Sequence, residues 1–328
     1  MRNWRNLRLA TAGLAVVAMT AGTASAQDFP KRDITHIMPW SAGGGTDTAM
    51  RTFLEYAQEP LGVDINTQNI TGAQSGVGTL RLMNSRPDGH TIGSMTWDSM
   101  ITVPYFDLVP GYDTDKLSIL ANITLYPTVL AAGAGTGWET LDDFVAAAKE
   151  RPGEITVSNS GNSGIWHLHA LDMADKLGIE LNHVPFPSGS APQREALLSG
   201  ENDAASVSFG TIASAVASGD VKVLAVMGEE RDPKLPDVPT FKELGHDVSW
   251  GGMRVIAVPA DTPQENKDIL IAGFKKAFDN PEFQEKAKTL GLTPYWMSGE
   301  EAQAYVDRTQ VRAEAMLDKL AAEGLINK

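Results

Sequence analysis

The chain has 328 residues, a formal charge of −14, 42% hydrophobic side chains and no cysteine. That excludes disulfides and thiol catalysis, argues against nucleic acid as a partner, and suits two medium domains or one large one.

Arg2, Arg5 and Arg8 precede an apolar run from Leu9 to Met19, and Ala24-Ser25-Ala26 follows as a small-x-small pattern. These are the basic, apolar and cleavage regions of a secretory signal, with removal expected after Ala26. The apolar run is too short to span a bilayer, which takes about 20 residues. Cleavage removes three arginines and no acid. It leaves 24 basic against 41 acidic side chains, a charge of −17 over 302 residues. An exported chain without cysteine fits a bacterial periplasm.

Ile34 to Met38 is an apolar strand, and Thr48 to Gln58 has a helical pattern. Between them lies Pro39-Trp-Ser-Ala-Gly-Gly-Gly-Thr-Asp47. Strand, glycine loop and helix in that order aim unpaired N–H groups at whatever sits above the loop, and glycine lets the backbone approach it. The loop has no Lys or Arg, so it favours one end of a small carboxylate through dipoles. A plain tight turn is the other reading of the same residues.

Val63 to Asn69 reads as the next strand, Thr71 to Gly76 as a second polar loop, and helix-like sequence runs to Asn84. Arg86-Pro-Asp-Gly89 is a turn, and His90 to Met95 a third strand ending in Thr96-Trp-Asp-Ser99. Three strand ends thus carry small polar residues, where open parallel sheets place their ligand crevice. Ile119 to Thr124 and Thr128 to Ala132 are expected as strand segments interrupted at Leu125-Tyr-Pro127, a crossover into a second domain.

Thr140-Leu-Asp-Asp143 caps a helix to Lys149. Ile155 to Ser158 is a short strand opening into Asn159-Ser-Gly-Asn-Ser-Gly164, with helix from Ile165 to Leu177. This echoes the first loop. Leu181 to Val184, Asp203 to Phe209 and Val221 to Met227 are further strands. Pro185-Phe-Pro-Ser-Gly-Ser190 leads into a helix to Leu198. Trp250-Gly-Gly252 before the strand Arg254 to Val258 is the return crossover. From Thr262 the chain is helical apart from Leu292 to Met297, and Ser298-Gly-Glu-Glu301 starts the last helix with a capping box. The fold class is α/β. The expected division is a signal at 1–26, one domain from 27–125 with 252–328, and a second from 126–251.

Several chemistries are absent from the sequence. Gly161-Asn-Ser163-Gly-Ile165 fails the nucleophile-elbow pattern at its last position. There is no His-Glu-x-x-His, no phosphate-loop lysine after Gly43 to Gly45, and no dinucleotide fingerprint there. His167 and His169 fall on different helix faces, which disfavours a shared metal. Ser163 and His167 have pair spacing but no third group to orient the histidine. No catalytic residue, metal ligand set or cofactor is expected.

Other short patterns recur along the chain: Arg51 after the first loop, Asn69-Ile-Thr-Gly-Ala73, Pro87-Asp-Gly-His-Thr91 and Ser160-Gly-Asn-Ser-Gly164 with His167-Leu168. His183-Val-Pro-Phe186 with Gly189, Leu198-Ser-Gly200 with Asp203, Leu235-Pro-Asp-Val-Pro-Thr240 with Glu243-Leu-Gly245, and Ala257-Val-Pro-Ala-Asp-Thr-Pro263 follow. Each is weak alone. In this order, over nearly all of the mature chain, they make it resemble the periplasmic solute-binding receptors of tripartite tricarboxylate transporters, the Bug family.

The resemblance implies a two-domain venus-flytrap fold of the periplasmic binding protein kind, with the ligand cleft between the domains. It implies a non-enzymatic, monomeric receptor that captures a small carboxylate through backbone N–H groups, hydroxyls and water. Integral membrane transporter subunits would be its partners. A sensory ligand-presenting protein is the alternative, and a periplasmic hydrolase a more distant one. The candidate ligand contacts are Trp40, Ser41, Ala42, Gly43, Gly44, Gly45, Thr46 and Asp47 in the first loop, then Thr96, Trp97 and Ser99. Ser160, Gly161, Asn162, Ser163, Gly164, Trp166 and His167 follow in the second half, with Ser188, Gly189 and Asp203. Asp47 either shapes its loop or receives a ligand amino group. His167 either donates to a carboxylate or supports a residue that does, and Asp203 either braces local structure or touches ligand. Trp40 replaces a more usual Phe or Tyr, Trp97 and Trp166 replace smaller residues, and Pro187-Ser188 replaces a small or basic pair. These departures bear on which carboxylate is taken. Trp40, Trp97, Trp166 and Trp250 lie at loop or hinge positions, and two or more in the cleft suit an aromatic or extended apolar body.

Overall fold

A computed structural model describes residues 29–162, 164–187 and 189–326. The expected signal segment, Ser163 and Ser188 lie outside these residues. Within them the chain forms two lobes around one continuous path of strands.

In the first lobe β1 (Ile34–Met38), α1 (Gly45–Leu61), β2 (Ile65–Asn69), α2 (Gly76–Met83) and β3 (Thr91–Thr96) alternate, and α3 (Val103–Tyr105) follows a π-helical turn at Asp98–Thr102. β4 (Leu117–Gly133) then leaves this lobe for the second. There α4 (Leu141–Glu150), β5 (Thr156–Asn159), α5 (Ile165–Leu177), β6 (Asn182–Pro185), α6 (Ser190–Ser199), β7 (Ala204–Ser208), α7 (Phe209–Ser218) and β8 (Val221–Val226) continue the alternation. The chain returns along β9 (Gly251–Pro259) and closes with α8 (Gln264–Phe278), α9 (Pro281–Thr289), β10 (Pro294–Ser298) and α10 (Gly299–Ala322).

The strand order is β2-β1-β3-β9-β4-β7-β5-β6, with β8 and β10 also on β4. β1 pairs in parallel with β2 and β3, and β5 in parallel with β6 and β7, while β4 and β9 run antiparallel to their neighbours. The carboxyl ends of two parallel sets therefore face one another across the middle of the molecule. β4 is one strand where an interruption at Pro127 was expected. Pro127 stands opposite Gly251, at the last rung of the β9 ladder, where a missing N–H removes no interior bond. Thr128 N–H resumes the ladder on the Trp250 carbonyl at 2.9 Å.

The first lobe's core follows from the apolar face of α1. Ala49, Met50, Phe53, Leu54, Ala57 and Leu61 are buried and recur at helical spacing. Phe53 packs on Phe274 of α8 at 5.9 Å and Phe283 of α9 at 5.3 Å between ring centroids. Each such side chain contributes about 1.5–3 kcal/mol by leaving water. α5 is buried on nearly every side, including Trp166, Leu168, Ala170, Leu171 and Met173. Both expected capping boxes form, Thr140 with Asp143 and Ser298 with Glu301.

Candidate functional site

The first glycine loop is braced from below. Gly43 has φ +75, a conformation that costs a glycine little, and it turns the chain into α1. Asp47, buried in the first turn, accepts from Gly43 N–H at 2.9 Å, Arg51 Nε at 2.9 Å and Asn69 Nδ2 at 2.8 Å. Asn69 Nδ2 also donates to the Trp40 carbonyl at 2.8 Å. With its oxygens engaged in this way, Asp47 shapes the loop and points Trp40 inward. The Trp40 indole N–H donates to Thr96 Oγ1 at 3.3 Å.

The second lobe's loops close directly onto this one. Gly45 N–H donates to Ser190 Oγ at 3.2 Å, and Arg194 Nη1 donates to the Gly43 carbonyl at 3.3 Å. Gly189 has φ +116, and a Cβ there would stand 3.3 Å from the Trp40 ring. Gln74 Nε2 donates to the Asn162 carbonyl at 3.0 Å. Ile165 N–H, at the start of α5, donates to Asp98 Oδ1 of the first lobe at 2.6 Å.

Between these contacts lies a narrow cleft, lined by Trp40, Gly44, Thr46, Thr96, Trp97, Asp98, Tyr126, Ser160, Ile165, Trp166, Gly189, Ser190, Ser208 and Arg254. Arg254 is its electrostatic centre. β9 carries it opposite Thr96 of β3 on one side and Thr124 of β4 on the other. Its guanidinium donates to Thr46 Oγ1 at 3.2 Å, Thr124 Oγ1 at 3.2 Å and Ser208 Oγ at 3.4 Å, and lies 3.9 Å above the Tyr126 ring. It is 3% exposed, and among the described residues no carboxylate pairs with it. Burial pulls its pKa down from the ordinary value, but a guanidinium stays charged in proteins. A buried cation met only by hydroxyls and an aromatic face is an anion site in waiting.

Asp98 lies elsewhere on the wall. Burial pushes its carboxyl up to about 7, against the opposing pull of the Ile165 N–H and the Thr102 hydroxyl. Two further polar atoms in the lining, Trp97 Nε1 and Ser160 Oγ, are buried without a hydrogen-bond partner among the described residues. Trp40, Trp97 and Trp166 wall the cleft with three indoles. Trp250 lies outside the lining: it stacks on His169 at 5.0 Å and donates its indole N–H to Asp172 at 2.7 Å.

Of the candidate contacts, Trp40, Gly44, Thr46, Thr96, Trp97, Ser160, Trp166 and Gly189 are brought together here. Ser41, Ala42, Gly43, Gly161, Asn162 and Gly164 in the loops, and Gly45 and Asp47 at the start of α1, frame the cleft but do not line it. Ser99 turns away toward Ser75 Oγ at 2.8 Å and the Thr96 N–H at 3.2 Å. His167 faces His183, ring centroids 5.0 Å apart. Asp203 is on the far side of β5, where it accepts from Thr156 N–H at 2.8 Å and Thr156 Oγ1 at 2.7 Å. Arg254, Asp98, Tyr126 and Ser208 were not anticipated. A lone arginine opening an otherwise apolar strand is the sequence signal for Arg254.

Comparison with known proteins follows the same lines. The model of the family described as tripartite tricarboxylate transporter family receptor matches residues 49–322. A protein of Cupriavidus necator from the gbd 5' region is 28% identical over 311 residues, covering 95% of this chain and 94% of its own. The periplasmic binding protein BugD superposes with a TM-score of 0.82 at 25% identity, over 89% of this chain and 99% of its own. MatC of Rhodopseudomonas palustris, solved with bound malate, superposes with a TM-score of 0.81 at 26% identity, over 88% and 99%.

Proposed function

The chain belongs to the tripartite tricarboxylate transporter receptor family, and from that premise we propose that it captures a small carboxylate in the cleft and delivers it to the membrane subunits of such a transporter. Members of this family are periplasmic solute-binding receptors, not enzymes. The single observation that carries the ligand class is Arg254, a buried guanidinium in the cleft with hydroxyls and a tyrosine ring around it and, among the described residues, no acid paired to it. A carboxylate supplies the missing charge, and the bound malate in the MatC structure is in keeping with that chemistry. Three indoles around the site favour an aromatic or extended apolar body.

In this reading residues 27–125 with 252–328 form one rigid lobe and 126–251 the other, hinged where β4 and β9 cross. The chain is exported to the periplasm as a monomer after loss of residues 1–26. Among the described residues no helix is long and apolar enough to cross a membrane. Intact mass of the exported protein tests the cleavage: a product beginning near Gln27 is expected, and retention of residues 1–26 refutes it.

The test of the receptor reading is a melting-temperature screen of mono- and dicarboxylates, run with and without chelator. A ligand at a hundredfold excess over its Kd adds about 2.7 kcal/mol, because it binds only the folded form. At least one carboxylate is expected to raise Tm, equally with and without chelator. No shift for any carboxylate refutes the reading.

A further inference from the structure

Asp98 lines the same cleft as Arg254. In a two-lobed receptor with glycine loops on both sides, the start of α5 is where a second carboxylate would gain most from helix N–H groups. Here the protein's own carboxylate is already there. Asp98 Oδ1 accepts the Ile165 N–H at 2.6 Å, and the Thr102 hydroxyl adds a longer bond at 3.4 Å. Asp98 is 2% exposed, lines the cleft, and has no cation paired to it among the described residues.

The cleft therefore has two poles. Both act on Tyr126: Arg254 sits over its ring, and its phenol stands in the field of both Arg254 and Asp98. Above pH about 7, where Asp98 is ionised, its charge and that of Arg254 cancel before any ligand enters. A dicarboxylate adds two negative charges and finds one cation, so one carboxylate would be buried beside another acid. A ligand with one carboxylate and one donor leaves both poles matched. Buried charge without a partner is the stronger penalty, so the site discriminates chiefly by rejection. Burial raises the Asp98 carboxyl despite its hydrogen bonds, and a bound cation would relieve it.

Resting on the carboxylate-receptor reading, we propose that this cleft selects a monocarboxylate whose far end carries a hydrogen-bond donor, an ammonium or hydroxyl group, with Arg254 holding the acid and Asp98 holding the donor, and that it excludes a second carboxylate.

The test is calorimetric titration at about pH 8, where Asp98 is ionised, with matched series. Saturated chains from butanoate to octanoate are taken with an ammonium, hydroxyl, methyl or second carboxylate at the far end, together with 4-(aminomethyl)benzoate against terephthalate. In the wild type the best donor-ended member binds at least about tenfold more tightly than every diacid. Asp98→Asn keeps the shape and the acceptor for Ile165 N–H while removing the charge. It weakens the ammonium-ended ligand roughly tenfold and strengthens the diacids. Arg254→Gln weakens all carboxylates alike, and Arg254→Lys restores part of the loss; both are checked for a native melting transition. Diacids binding as tightly as donor-ended acids in the wild type, or an unchanged preference in Asp98→Asn, overturns the two-pole site and leaves the receptor reading standing. No binding by any carboxylate, whatever its far end, overturns the receptor reading and this inference with it.

Discussion

Gly45 is where lobe closure and helix stability pull apart. It opens α1 in the first lobe, yet a Cβ added there would overlap Thr211 Oγ1, stand 3.0 Å from Ser208 Oγ and lie 3.4 Å from Arg254 Nη2. Thr211 and Ser208 belong to the second lobe, so Gly45→Ala inserts a methyl into the closed interface. In the open form alanine is tolerated and adds up to about 1 kcal/mol of helix propensity. In the closed form it overpacks a polar junction, at about 1–3 kcal/mol. The difference appears as a Kd raised about 5- to 150-fold with the unliganded Tm unchanged or higher. Gly43→Ala is the contrast. Its φ is +75 and, among the described residues, nothing lies within 4 Å of an added Cβ, so the strain acts equally in both forms. It lowers Tm by the equivalent of about 1–2 kcal/mol and leaves Kd nearly unchanged. Calorimetry with the carboxylate that gives the largest melting shift, and small-angle scattering for closure, read out both variants. Unchanged affinity and unchanged closure in Gly45→Ala would refute the argument. A drop of several degrees in its unliganded Tm would show that Gly45 serves the fold instead.

Acid should destabilise the protein steeply. Burial holds His36 and His167 at about 3, His183 at about 4 and His169 well below its ordinary value. As pH falls below about 6.5 the unfolded chain takes up these protons and the native one does not, so stability present at neutrality is lost toward the folded values, by about 1.4 kcal/mol per pH unit for each proton. Asp98, raised to about 7, acts in the opposite sense between its unfolded value and 7, and offsets one of the four. Urea midpoints at pH 5 and pH 7 check the sum; equal midpoints, or a lower one at pH 7, contradict it. Trp97→Phe removes a buried indole N–H that has no partner among the described residues. Stability should hold or rise, and affinity should fall by about 0.5–1.5 kcal/mol if that group meets the ligand; unchanged affinity assigns the indole to the wall alone. Phe53→Ala, in the α1 core away from the cleft, should cost about 3–5 kcal/mol in urea unfolding without changing Kd.

The alternation of strand and helix, the glycine loops at strand ends, both capping boxes and the family itself were legible in the sequence. Each depends on neighbours along the chain: helical and strand periodicity, turn residues, caps, and short motifs. The three cleft tryptophans were legible for the same reason, since each adjoins a loop that a parallel sheet must direct toward the crevice. What the tertiary structure alone decided is the charge of the site. Arg254 is distant in sequence from the loops it serves, and only the pairing of β9 with both β3 and β4 sets it beneath the start of α1. Asp98 sits inside a stretch already marked for the cleft, but a π-helical turn sends Asp98 inward and Ser99 back toward Ser75. Asp47 and Asp203 show the converse, for each is bonded within its own lobe. Local sequence fixes which backbone segments form and where they turn. Which charged side chain ends up buried without a counter-charge depends on strand register and on how the lobes meet, and no local pattern encodes either.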